Sequence, residues 1–420
     1  MNIKPDHPRD LLTRAFRAAV DRAQPDRAVS AHLPAPPPGR TIVIGAGKGA
    51  APMAWQVERQ WSHSLAGAVI TPYGYAGDRI PKKVQVLEAA HPIPDAAGVA
   101  ATLKVLEAVE HLAEDDLVLD LISGGGSALL TAPMGISLEQ KAALTDALLK
   151  SGATIHEINT VRKHLSAVKG GRLAQAAHPA RIVSLIVSDV VGDDLSIIAS
   201  GPTVPDPGTY ADALAVLDRY GIDQPEARRQ LKRGAQGEMP ESPKPGDPIF
   251  QRVDNRLIVT GAQALEAAAE QFSADGIDAQ VTSANVEGES RTVAREQAAA
   301  VQDLATGQAM ISGGETTVTV RGSGRGGPNL EFLLALAVAL QGAPDMYALA
   351  ADTDGKDGTG DAAGAIITPD TLSRAAKQGL DPAAHLEDND AHSFFQALGD
   401  LLVTGPTGTN VNDIRIVIRL

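Results

Sequence analysis

Lys48 lies inside a glycine turn. Thr41 to Ala54 reads TIVIGAGKGAAPMA: an apolar run, the turn, then an alanine-rich helix start. Gly45, Gly47 and Ala50 fit the G-x-G-x-x-G/A spacing of a dinucleotide loop. That loop also needs an acidic residue about 20 positions on, closing the next strand, to hold the ribose. The next apolar run instead ends in Thr71, Pro72 and Tyr73. The Walker A spacing is absent as well. A glycine turn with amides at a helix start, plus one ammonium, suits a phosphate or a carboxylate.

Three further stretches carry matching chemistry. A near-continuous apolar strand, 116–122, runs into Ser123-Gly124-Gly125-Gly126-Ser127. Successive glycines weaken any structure, so close approach of backbone to an anion explains them better than a plain turn. In 156–174, Arg162, Lys163, His164, Lys169 and Arg172 cluster in an otherwise acidic chain. Asn159-Thr160 could cap a helix, placing Arg162 and Lys163 in its first turn, against the dipole, where an anionic ligand rationalises them. Lys169 and Arg172 read as a solvated face, and His164 as a packed side chain as readily as a functional one. Asp189 follows the apolar run ending at Val187, where α/β proteins deliver side chains to ligands. It suits a general base or a Mg²⁺ ligand, whereas Asp193-Asp194 fits a turn.

The second half repeats the theme more weakly. Ser312-Gly313-Gly314-Glu315 follows an apolar run, and 321–332 and 404–413 are glycine-rich. Asp352, Asp354, Asp357 and Asp361 crowd 348–365. Lys356 at the fifth position excludes an EF-hand, leaving a cation shared with nucleotide phosphates or a metal-free turn. No G-x-S-x-G or H-E-x-x-H occurs, so serine hydrolases and zincins get no support.

These residues need elements to position them. Strand candidates are 41–44, 67–71, 117–122, 182–187, 256–260, 310–312 and 346–351, with helical stretches at 97–112, 137–151 and 290–305. Such alternation predicts parallel sheets in an α/β fold. Residues 10–23 place Leu11, Leu12, Ala15, Phe16, Ala19 and Val20 on one helix face. With 420 residues, two domains are expected, and 234–250, rich in Pro, Gly and charge, reads as the connector. The expected boundaries are therefore 1–240 and 250–420. Similar loops in both halves would suit two α/β domains flanking a cleft.

Composition narrows the partners. The net charge of −14 and an aromatic content of 3% argue against nucleic acid and anionic membranes. The chain has no cysteine, which rules out thiolate metal sites and nucleophiles. The N-terminus lacks a signal-like apolar core, and FLLALAVAL (332–340) is too short to span a bilayer. A soluble cytoplasmic protein is expected.

Taken together, these motifs resemble the class II glycerate 2-kinases, which carry a C-terminal MOFRL domain. The resemblance runs over GAGKGA (45–50), LISGGGSALL (121–130), NTVRKHLSAVKGGRLA (159–174) and SDVVGDDLSIIASGPT (188–203). It continues over SGGETTVTVRGSGRGGPNLEF (312–332), DTDGKDGTGDAAGA (352–365) and GPTGTNVND (405–413). It implies a Rossmann-like N-terminal domain and a smaller MOFRL-type domain. It also implies ATP, Mg²⁺ or another divalent cation, and phosphorylation of D-glycerate at its 2-hydroxyl. A homodimer is compatible with it.

Lys48 matches the lysine held central to the family's cleft. Asp189 and Arg325 complete the expected catalytic set. Gly45, Gly47, Ser123 to Ser127, Arg162 and Lys163 are expected on substrate or phosphate. Gly313, Gly314, Glu315, Asn329, Asp352, Thr407 and Asn410 are expected on the nucleotide side. Asp189, Asp354 and Asp357 are the expected metal ligands. One departure stands out: many relatives read Gly-Gly-Arg-Asn-Gln-Glu where this chain has Gly326-Gly327-Pro328-Asn329-Leu330-Glu331. That arginine's role cannot pass to Pro328, and Arg325 is the nearby substitute. Relatives are also labelled hydroxypyruvate reductases, so an NAD(P)H-dependent reductase is the alternative. The missing ribose carboxylate argues against it.

Overall fold

Ile42-Val43-Ile44 has no polar alternation, so its strand needs cover on both faces. In the computed structural model, which describes His7–Leu420, it forms the middle of β1 (Thr41–Ala46), buried along its whole length. The chain divides into two units, Pro25–Ile258 and a second built from residues up to Gln24 together with Val259–Leu420.

The first unit contains β1, β2 (Leu65–Pro72), β3 (Val84–Ala89), β4 (Leu117–Ile122), β5 (Arg181–Val187) and β6 (Val253–Val259). Its strand order is β3-β2-β1-β4-β5-β6, the Rossmann order. The β3–β2, β2–β1, β1–β4 and β4–β5 pairs are parallel, as expected. The order reverses between β1 and β4, so their carboxyl ends open the crevice where such sheets bind ligands. Gly45 permits that pairing: a Cβ there would lie 2.1 Å from the Leu121 carbonyl oxygen of β4. The helix Leu138–Lys150 starts in a capping box, Ser137 with Gln140.

Residues 234–250, expected as the connector, belong to this first unit. Ser242 is buried and donates to Asp206, the Glu241 carboxylate accepts the Tyr210 amide, and the Pro240 carbonyl accepts from Arg172. Linker-like composition does not prevent such polar anchoring.

The second unit holds β7 (Asp278–Glu289), β8 (Gln308–Thr317), β9 (Met346–Asp352), β10 (Gly364–Ile367), β11 (Leu401–Leu402) and β12 (Asp413–Arg419). Their order is β11-β10-β9-β12-β8-β7. Only β7–β8 is parallel in this sheet. The β8–β12, β12–β9, β9–β10 and β10–β11 pairs are antiparallel, which corrects the expectation of a parallel sheet here. The reason is β12: the last strand inserts between β8 and β9 and runs against both. Asp413 at its start lies opposite Gly314 and Asp352, so the segments after β8, after β9 and before β12 share one sheet edge. The apolar 332–340 stretch lies in the helix Pro328–Leu340, almost wholly buried in the core of this unit. Among the described residues no helix is long and apolar enough to cross a membrane. The helix Pro8–Arg22 packs in this unit too, against the helix Gly261–Ala274, with Arg14 and Asp275 paired at 3.2 Å.

Candidate active site

The first unit gathers Gly45, Gly47, Lys48, Ser123 to Ser127, Arg162 and Asp189 around the carboxyl ends of β1, β4 and β5. The β1 and β4 loops interlock. The Ser123 amide donates to the Ala46 carbonyl (3.1 Å), the Lys48 amide to the Gly124 carbonyl (2.8 Å), and the Gly49 amide to Ser123 Oγ (2.8 Å). A Cβ on Gly47 would lie 2.1 Å from Ser123 Oγ, so only glycine lets the loops close. The amides that the sequence offers to an anion are thereby taken: those of Lys48 and Gly49 by the β4 loop, that of Gly47 by Ile70 of β2, and that of Ala50 by Gly47. Attraction for an anion at this loop therefore rests on the Lys48 side chain, not on a backbone cradle.

Asp189 stands beside it. Its Oδ2 accepts the Gly125 amide at 3.3 Å. Burial pushes its carboxyl above the usual range, while the Lys48 charge and the Gly125 bond pull it down. Lys48 and Asp189 are thus electrostatic partners, one from the β1 loop and one from the β5 loop. Gly125, at φ +85°, lies under His91; a Cβ there would come within 2.8 Å of the imidazole. His91 follows β3, and its sequence context, AAHPIPD, carries no recognisable spacing.

The far side of the β4 loop is strongly cationic. Arg162 Nη2 donates to Ser127 Oγ at 2.6 Å, and Lys169 Nζ donates to the Ser127 carbonyl at 2.7 Å. Ser127 Oγ also meets Ser200 Oγ at 2.8 Å, which bonds Asn159 Oδ1 at 3.0 Å. Ala199 and Ser200 both adopt positive φ, 51° and 62°. Adjacent non-glycine residues held there store strain, which concentrates at functional sites. Lys141 donates to Thr131 close by. Lys141 and Lys169 are buried, so the solvated-face reading of Lys169 is overturned; Arg172 is buried as well. Burial lowers Lys141 to about 7, helped by the charge of Arg162. Burial also pulls Lys169 well below the ordinary lysine value, helped by Arg162 and Lys141, and it lowers Arg162.

The reason given for Arg162 and Lys163 also changes. Their helix, Ile155–His164, is capped by Thr154 with Glu157, so both sit in its last turn, where the dipole favours them. Lys163 leaves the site and faces Asp206 at 3.7 Å. His164 is buried between the Thr160 carbonyl and Glu241, a packed histidine.

In the second unit, Gly313 and Gly314 are not in a loop. They lie in β8, where a Cβ on Gly314 would approach the Val286 carbonyl oxygen of β7 to 2.3 Å. Glu315 is exposed near the end of that strand. Asn329 is buried and donates to both Asp357 and Asp413. Asp357 accepts the amides of Asn329 (3.0 Å) and Leu330 (2.9 Å), capping the helix Pro328–Leu340 from a distant loop. Asp352 and Asp354 accept local amides in successive tight turns. Thr407 bonds Thr353 and Asp354, joining the loops after β9 and before β12, and Asn410 accepts the Asn412 amide. Arg325 is exposed, its backbone held by Asp390 and His392. Among the described residues, no group of three or more His, Asp or Glu side chains could hold a metal ion. The expected ligands Asp189, Asp354 and Asp357 therefore do not form a protein cage. Mg²⁺ does not require one, since it commonly binds one or two carboxylates together with substrate phosphates.

Lys48 after β1 and Asp189 after β5, beside two interlocked glycine loops at the switch point of a Rossmann-ordered sheet, form the candidate site of an α/β protein. Comparison with known proteins makes this specific. Residues 11–232 match a domain family of unknown function, DUF4147, and residues 308–413 match the MOFRL family. A Thermotoga maritima protein named D-glycerate 2-kinase is 40% identical over 98% of both chains. The crystal structure of a glycerate kinase from the same organism superposes with a TM-score of 0.89, covering 98% of this chain and 99% of that one. An Agrobacterium vitis protein, provisionally named hydroxypyruvate reductase, is 49% identical over 98% of this chain and 94% of its own. The chain belongs to the glycerate 2-kinase family with a C-terminal MOFRL domain.

Proposed function

We propose that this protein is a kinase that moves the γ-phosphoryl group of ATP to the 2-hydroxyl of D-glycerate, giving 2-phosphoglycerate and ADP. The observation that carries this reading is the pairing of Lys48 on the β1 loop with Asp189 on the β5 loop, beside the interlocked β1 and β4 loops. Phosphoryl transfer needs positioning and charge neutralisation more than covalent chemistry from the protein. Asp189 takes the proton from the 2-hydroxyl, whose oxygen bonds to the γ-phosphorus as the bond to the ADP oxygen breaks. Burial, which raises the Asp189 carboxyl, makes it a better proton acceptor once ionised. Lys48 offsets negative charge on the transferring group, in a site whose low dielectric strengthens the interaction. Arg162 pairs with the glycerate carboxylate. A divalent cation would arrive with the phosphates and neutralise them.

The names of the relatives support glycerate as substrate. The reductase alternative has the name of a relative in its favour. Against it, β2 ends at Thr71-Pro72, without the carboxylate that a nicotinamide dinucleotide's ribose calls for. The test is a pair of assays. With D-glycerate, ATP and Mg²⁺ the protein should release ADP, and enolase should convert the product without a mutase. With hydroxypyruvate and NADH, consumption of NADH without ADP release in the first assay would refute the kinase reading.

A further inference from the structure

Lys141 belongs to the helix Leu138–Lys150, outside the glycine loops, yet it is only 6% exposed. Its ammonium, with three protons to donate, has one hydrogen-bond partner among the described residues, Thr131. The charge of Arg162 acts on it, and the charges of Arg162 and Lys141 both act on Lys169. Among the described residues no carboxylate forms an ion pair with Lys141, Arg162 or Lys169. Arg162 Nε is buried and without a hydrogen-bond partner. Buried charges in proteins are normally paired, because desolvation of an isolated ion costs several kcal/mol or forces it to lose its charge. Two buried lysines and a half-buried arginine sharing one region without a carboxylate partner therefore reduce the stability of the protein. A bound anion would relieve this.

We propose that Lys141, together with Lys169, sets the electrostatic field of an anion site in which Arg162 makes the direct contact, and so determines the preference for a substrate carrying a carboxylate. This rests on the kinase reading and deepens it: the acid end of the substrate lies on the Ser127 side of the β4 loop, and the reacting hydroxyl on the Gly125–Asp189 side. Lys141 is a specificity-determining residue here, acting through Arg162, not a catalytic one. The lowered proton affinity of the two lysines agrees with burial beside other cations and away from any carboxylate of the protein, and a bound carboxylate would favour their charged forms. Lys169 is the poorer probe, because it also bonds the Ser127 and Ala199 carbonyls that shape the loop.

The test uses Lys141→Met, which keeps the length of the side chain and removes the charge, and Lys141→Arg, which restores the charge. Steady-state kinetics should show KM for D-glycerate raised about tenfold or more in Lys141→Met, with kcat and KM for ATP within about twofold of wild type, and Lys141→Arg should recover most of the loss. Without ligand, Lys141→Met should melt no earlier than wild type, because a poorly compensated buried ammonium has been removed. The thermal shift induced by D-glycerate should shrink. An unchanged KM in a folded variant would overturn the proposal, as would an early-melting Lys141→Met whose KM matches wild type. Wild-type protein that turns over no D-glycerate would instead defeat the kinase reading itself. In that case, sulfate as a probe anion should still raise the melting temperature of wild type more than that of Lys141→Met if the cluster holds an anion.

Discussion

Removing the Lys48 ammonium should cost rate and little stability. Its charge is needed where negative charge moves among the phosphoryl oxygens, so Lys48→Ala should lower kcat by ~10²-fold or more, about 2.7 kcal/mol of barrier. The melting temperature of the ligand-free variant should stay close to wild type; a large drop would mean a structural lysine. Lys48 is also one of the influences holding the Asp189 carboxyl down against burial. A base must be ionised, so activity rises with pH as Asp189 loses its proton. Without Lys48 the carboxyl titrates higher, and the acidic limb of the pH–rate profile should move to higher pH. Asp189→Asn should lose ~10²–10⁴-fold in rate. Asp194→Asn should be nearly silent in the same assay, since Asp194 is exposed and accepts a local turn amide from Ser196 at 2.8 Å. Equal activity of the two variants would put the base elsewhere.

At the scale of elements, the loops depend on backbones that touch. Gly45→Ala would drive a Cβ to 2.1 Å from the Leu121 carbonyl oxygen, so β1 and β4 would have to part where the site is built. Activity should fall with stability, by about 2 kcal/mol or more in denaturant titration, in line with overpacking. Asp357 tests a different assignment. Its oxygens accept the amides of Asn329 and Leu330 at the start of the helix Pro328–Leu340. Asp357→Ala leaves those buried donors unpaired and should cost about 1–3 kcal/mol in the urea midpoint. A variant of normal stability that needs more Mg²⁺ would restore Asp357 as a metal ligand.

Across the whole molecule, buried carboxyls tie stability to pH. Asp120, in the middle of β4, is fully buried; Ser184 donates to one of its oxygens, and the other has no partner. Burial raises it to about 7 against the Ser184 bond. A carboxyl raised in the folded state stabilises most below its unfolded value, and that contribution is lost as pH climbs through the folded one. Between roughly pH 4 and 7 wild type should lose on the order of 1 kcal/mol per pH unit relative to Asp120→Asn, which stays neutral. Urea midpoints at pH 5 and pH 8 measure this. Parallel pH dependence in the two proteins would show that Asp120 ionises in the folded state without penalty.

What the sequence determined by itself was local. The apolar runs gave β1, β4 and β5, the glycines after them gave the turns, and strand-end position singled out Lys48 and Asp189. These signals are legible because each depends on a few neighbouring residues: backbone dihedrals, burial period, and where a strand must stop. Tertiary structure decided what depends on distant partners. The polar β7 pairs in parallel with β8, whereas β12, from the end of the chain, inserts between β8 and β9 and runs antiparallel to both. The helix Pro8–Arg22 packs with the second unit because its apolar face meets the helix Gly261–Ala274. The Lys48 and Gly49 amides of the first loop are taken by the second, which no local pattern announces. Lys163 and Lys169 exchanged roles because solvent exposure of a basic residue is set by what packs over it. For Lys141 one trace was present: it shares a face with Leu144 and Leu148, at the three- and four-residue spacing of a buried stripe. A lysine on such a stripe acquires meaning only when folding brings Arg162 and Lys169 beside it without a carboxylate to balance them.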